Sequence, residues 1–78
     1  MKQVVIYSTP TCTYCNQAKE FFKANNVAYI EHNVASDLEM RKQMVEATGQ
    51  LGVPVISIGD EHIVGFQKEH IAELLGIK

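Results

Sequence analysis

The sequence predicts an α/β fold with the element order β-α-β-α-β-β-α, a mixed four-stranded sheet and helices on both of its faces. Three observations carry that expectation. Short apolar runs alternate with stretches of helical periodicity through the first half of the chain. Ser36-Asp37-Leu38-Glu39 matches the box that opens a helix, a hydroxyl at the cap and a carboxylate three residues on. Gly59-Asp60 separates two β-rich runs, as a tight hairpin turn does. The first β-α-β unit implies two parallel strands joined by a right-handed crossover, and the hairpin extends their sheet.

The elements follow in order. Gln3 to Ser8 is apolar apart from its ends, the pattern of a strand buried on both faces. Thr9-Pro10-Thr11 interrupts it. From Thr13 to Asn26 the residues Cys15, Ala18, Phe21 and Phe22 form one helical stripe, with Lys19, Glu20 and Lys23 largely off it. Thr11 is the expected N-cap, which puts Cys12 in the first turn. Val27-Ala28-Tyr29-Ile30 starts a second strand reaching towards Val34. The helix opened by Ser36 carries Met40, Met44, Val45 and Ala47 and ends at Gly49, where a left-handed cap is needed. Val53 to Ile58 and His62 to Val64 form the hairpin, and Lys68 to Leu75 is a last amphipathic helix, with Ile71, Leu74 and Leu75 on one face, stopping at Gly76.

A length of 78 residues suits one domain, residues 1–78, with one small core. Nine acidic against seven basic side chains leave a net charge of −2, which suggests neither nucleic-acid nor membrane binding. The apolar run after Met1-Lys2-Gln3 is too short for a signal peptide and no stretch approaches a membrane span, so a cytoplasmic monomer is expected.

The only two cysteines, Cys12 and Cys15, frame Thr13-Tyr14 between the first strand and the first helix. In a reducing compartment such a pair reads as redox or metal chemistry rather than as a structural staple. A sulfur at a helix start meets unpaired backbone N–H groups and the positive end of the dipole, which favour the thiolate that attacks disulfides. Cys12 is therefore the expected nucleophile, and Cys15, one turn further in, the resolving thiol. A zinc site needs further ligands, and His32, His62 and His70 show no compact ligand spacing. Thr11 and Tyr14 flank the sulfur as candidate substrate contacts. Gly52-Val53-Pro54-Val55 is a second candidate element, because a proline cannot donate to a sheet ladder and so marks a strand end.

The segment Val5-Ile6-Tyr7-Ser8-Thr9-Pro10-Thr11-Cys12-Thr13-Tyr14-Cys15, the stretch from Thr48-Gly49 to Val53-Pro54, and the hairpin followed by Gly65 together resemble a glutaredoxin over nearly the whole chain. That resemblance implies a thioredoxin-like fold, a cis Val53-Pro54 bond facing the active site, and a redox-active dithiol that reduces protein disulfides or mixed disulfides. It adds Val53, Pro54, Gly65 and Phe66 to the substrate-contacting residues. It implies no bound cofactor and glutathione as a co-substrate, for whose carboxylates Arg41 and Gln50 offer donors. The chain departs from the usual glutaredoxin pattern in three places: Thr13 stands where Pro is typical, Ser8-Thr9 where a basic residue is typical, and Gly65-Phe66-Gln67-Lys68 has no Asp. Gly65-Phe66 is similar to the NrdH-type redoxins served by thioredoxin reductase, and its combination with Gly52-Val53-Pro54-Val55-Ile56 resembles the YruB type. The reductant is accordingly glutathione or a thioredoxin-reductase-type flavoenzyme. The alternative function is an iron–sulfur or zinc-binding module of the same fold without dithiol turnover.

Overall fold

The computed structural model describes residues 3–49 and 52–77, so Gln50, expected with Arg41 to donate to a glutathione carboxylate, lies outside the described residues. The elements are β1 (Val4–Ser8), α1 (Thr13–Ala24), β2 (Ile30–Asn33), α2 (Leu38–Thr48), β3 (Val55–Ile58), β4 (Glu61–Val64) and α3 (Lys68–Leu75). They form one four-stranded mixed sheet in the order β2-β1-β3-β4. β1 and β2 are parallel, with Val5 opposite Ile30, whereas β3 runs antiparallel to both β1 and β4. The expected architecture and element order are those observed.

Strand alternation divides the core between the two faces. Val4, Ile6, Ile56, Ile58 and Ile63 point to one face, where Ala18 and Phe22 of α1 and Ile71 of α3 close over them. Tyr7 and Val55 point to the other, where they meet Met44, Met40 and Val45 of α2. β1 is thus not buried evenly: Val4, Ile6 and Ser8 are enclosed, while Val5 and Tyr7 are half-buried. Two helices cover one face and a single helix the other, and that asymmetry is the reason. In α2 only Met44 is fully buried, and Ala47 faces solvent rather than the core.

Several expected boundaries move: α1 ends at Ala24 rather than Asn26, β3 begins at Val55 rather than Val53, β4 begins at Glu61 rather than His62, and three further shifts have a hydrogen-bonding reason. The N-cap of α1 is Cys12 rather than Thr11: Cys12 is extended and its own sulfur accepts from the Cys15 backbone N–H at 3.2 Å. The N-cap of α2 is Asp37 rather than Ser36. Its Oδ1 accepts from the Met40 N–H at 3.2 Å, while the Ser36 hydroxyl turns back to the Asn33 carbonyl at 3.4 Å. β2 begins at Ile30 rather than Val27, because the Val27 N–H bonds the Phe22 carbonyl at 2.8 Å to finish α1. That reversal runs through Asn26, at φ 57°, a left-handed conformation asparagine tolerates. The hairpin turn is as expected, with Gly59 at φ 60° in its first central position.

Candidate redox site

The register gathers the site at one end of the sheet. β1 leads through Thr9-Pro10-Thr11 into Cys12, and Tyr7 lies opposite Val55, so the chain just before β3, Val53-Pro54, sits beside the end of β1. β4 ends at the same edge, with Val64 opposite Val55 and the Gly65 N–H bonded to the Pro54 carbonyl at 2.8 Å. The Val53-Pro54 peptide bond is cis, and Gly65, at φ 86°, occupies the left-handed region that favours glycine.

The two sulfurs sit in contrasting environments. Cys12 is partly exposed, its N–H bonded to the Thr9 carbonyl at 3.3 Å and its carbonyl accepting from Asn16 at 3.1 Å. Its sulfur occupies the place a Ser or Asp oxygen takes in an ordinary helix cap, facing one of the N–H groups that the first turn leaves unpaired. Cys15 is fully buried. Burial above all, then a hydrogen bond to Cys12, pushes its thiol up to about 12, against the opposing help of the Thr9 backbone and of Lys19. Cys15 is therefore held as a neutral thiol hydrogen-bonded to its neighbour.

Among the other expected site residues, Thr11 and Tyr14 are exposed beside Cys12, Tyr14 at 63%. Pro54 is buried, and Val53 and Gly65 are half-buried at the same end of the sheet. Phe66 is turned differently. Its ring lies 5.9 Å from that of Phe21, in the seam between α1 and α3 and more than two helical turns along α1 from Cys12. The Lys68 ammonium stands 5.8 Å from the same Phe21 ring. Arg41 is exposed on α2. A groove of about 620 Å³ opens at the opposite end of the sheet, between Val4, Val27, Tyr29, Leu74 and Ile77, away from both sulfurs.

A polar trio beside Cys15 was not singled out by sequence reasoning. The Glu31 carboxylate accepts from the buried Ser8 hydroxyl at 2.9 Å and pairs with the Lys19 ammonium at 2.8 Å. The one signal for it in the sequence is the four-residue step from Cys15 to Lys19, which makes them neighbours on the helix surface; Lys19, expected largely off the apolar stripe, is half-buried at its edge. Among the described residues no group of three or more His, Cys, Asp or Glu is arranged to hold a metal ion.

The sequence model of the glutaredoxin family matches residues 4–63. The chain belongs to the glutaredoxin family. It is 44% identical, over 92% of its length and 96% of the relative's, to a glutaredoxin-like 8.6 kDa protein of the rubredoxin operon of Clostridium pasteurianum. The crystal structure of a point mutant of the thioredoxin-like protein BC3987 superposes with a TM-score of 0.93 at 37% identity, covering 100% of both chains. The glutaredoxin-like NrdH-redoxin of Escherichia coli superposes with a TM-score of 0.81 at 25% identity over 92% of this chain and 93% of that one. The fold is that of the thioredoxin-like glutaredoxins, and this chain is a thiol–disulfide redoxin. Among the described residues no helix is long and apolar enough to cross a membrane.

Proposed function

We propose that the protein is a dithiol oxidoreductase that reduces protein disulfides or mixed disulfides, with Cys12 as nucleophile and Cys15 as resolving thiol. The contrast between the two sulfurs carries the reading. Cys12 is reachable from solvent and caps the helix, whereas Cys15 is enclosed, protonated and hydrogen-bonded to Cys12.

The Cys12 thiolate attacks one sulfur of the target disulfide. A Cys12–target bond forms, and the other target sulfur leaves as a thiolate and takes up a proton. Cys15 then loses its proton and attacks Cys12 Sγ, forming the Cys12–Cys15 disulfide and releasing the second target thiol. Two electrons pass to the target, and of the two protons its sulfurs take up, one matches that lost by Cys15 and the other comes from solvent. The residues that would contact the target are Thr11 and Tyr14 beside Cys12 and Val53, Pro54 and Gly65 at the same end of the sheet, with Phe66 set back from them against Phe21. An external donor resets the pair, either glutathione or a flavoenzyme of the thioredoxin-reductase class.

The test is NADPH-coupled reduction of a protein disulfide, run once with glutathione and glutathione reductase and once with thioredoxin reductase. Turnover is expected in one arm, which assigns the donor. Cys12→Ser is expected to abolish it, and Cys15→Ser to accumulate a mixed disulfide at Cys12 detectable by intact mass. Full dithiol turnover by Cys12→Ser would overturn the assignment.

A further inference from the structure

The resolving step asks a buried, neutral thiol to lose its proton. In the mixed disulfide Cys12 is no longer available as hydrogen-bond partner or neighbouring charge, so burial is what then opposes ionisation of Cys15. Two groups of the protein favour it: the Thr9 backbone and Lys19.

Lys19 follows Cys15 by one helical turn on the same face of α1, a spacing that brings Cβ atoms within about 5–6 Å. Its side chain is only 19% exposed, and its ammonium is tied at 2.8 Å to Glu31 on β2 instead of extending into water. Glu31 is in turn fixed by the hydroxyl of Ser8, the last residue of β1, which is 1% exposed and immediately precedes Thr9. A free lysine on a helix surface samples many rotamers in high dielectric, where its field on a buried sulfur is weak. The anchor from two strands prevents that. Tyr29 acts on Lys19 from the loop before β2, and Lys23, one turn further along α1, acts on Glu31.

We propose that Lys19, anchored by Glu31 and Ser8, is a positioning residue whose fixed charge stabilises the Cys15 thiolate and so governs the resolving half of the dithiol cycle. This rests on the dithiol reading above. It separates the two sulfurs functionally, because the first attack, by Cys12, does not draw on Lys19 and the second, by Cys15, does.

Stopped-flow reaction of the reduced protein with the aromatic disulfide DTNB reads the two steps apart. Cys12 attack releases one coloured thiolate and leaves Cys12 bonded to the other aromatic sulfur. Cys15 attack on Cys12 Sγ then releases the second coloured thiolate and closes the disulfide. In Lys19→Met the first phase is expected to keep its rate. The second is expected to slow by about tenfold near neutral pH, with its rise with pH displaced upward, since one unit in a thiol's pKa changes its thiolate fraction about tenfold. Lys19→Arg, which keeps the charge and the pairing with Glu31, is expected to restore the second phase. An unchanged second phase in Lys19→Met, or equal slowing in Lys19→Arg, would overturn the proposal while leaving the dithiol reading intact. Release of only one thiolate by the wild-type protein would overturn the dithiol reading itself.

Discussion

At the scale of single residues, the helix cap decides what the cysteines are. A threonine hydroxyl in front of Cys12 looks like the natural cap, yet the backbone turns one residue later and the Cys12 sulfur takes the Cys15 N–H. Thr11 is left exposed next to it. The same shift sets Cys15 at the third helical position, where the stripe shared with Ala18 and Phe22 takes it fully out of solvent. Its buried thiol has a consequence for stability as well as for chemistry. The ordinary value is 9.0 and burial, with the hydrogen bond to Cys12, pushes it to about 12. Above 9.0 an unfolded chain releases this proton while the folded one retains it, so the unfolded state binds fewer protons and stability falls as pH rises towards about 12. Urea unfolding of the reduced protein at about pH 8 and about pH 10.5 checks the sign. The wild type is expected to lose more stability between the two than Cys15→Ala, and equal losses would contradict it.

At the scale of elements, helix starts and strand starts were legible to within a few residues, and the misplacements share a cause. Ser36 and Asp37 are both good caps by type. Asn33 settles the choice: its carbonyl accepts the Asp37 N–H at 2.9 Å and its side chain the Ala35 N–H at 3.0 Å, which winds the turn so that Asp37 reaches Met40. Asp37→Ala is therefore expected to lose about 1 kcal/mol, and Ser36→Ala less than about 0.5 kcal/mol, in chemical denaturation. A reversed order would restore the cap that the four-residue pattern suggests. Val27 to Tyr29 was strand-like by composition, yet Val27 and Tyr29 pack against the cluster around Phe22 from outside the sheet. Packing uses apolar residues in a loop as readily as in a strand, so composition alone did not place the boundary.

At the scale of the whole molecule, the core facing α1 and α3 holds most of the large enclosed side chains. Phe22 is at its centre, with ring contacts to Phe21 at 6.0 Å and Tyr29 at 5.5 Å. Its truncation to alanine is expected to cost about 3–5 kcal/mol, against a total that for a chain of this length is about 4–12 kcal/mol. Phe22→Ala is accordingly expected to be largely unfolded or to melt far below the wild type, whereas Ile71→Val, which removes one methyl at the same interface, is expected to cost about 0.5–1.5 kcal/mol. Calorimetric melting of the two variants compares them directly. A mild Phe22→Ala would mean that the other face, around Met44, sustains the fold.

Much of the candidate site was legible in the linear chain because it is local. Two cysteines three positions apart at a strand-to-helix junction, a Val-Pro step before a strand and a glycine after a hairpin are all statements about neighbouring residues, and their types report the backbone they need. What joins distant segments was decided by tertiary structure. Phe66 turns to Phe21, so its ring belongs to the helix seam more than to the rim of Cys12. Ser8, Lys19 and Glu31 converge from β1, α1 and β2 into one hydrogen-bonded trio, although they are separated by as many as 23 positions. Sequence spacing carries chemistry along one element because its geometry is periodic. The meeting of two elements depends on strand register and on helix placement over the sheet, which no single segment encodes.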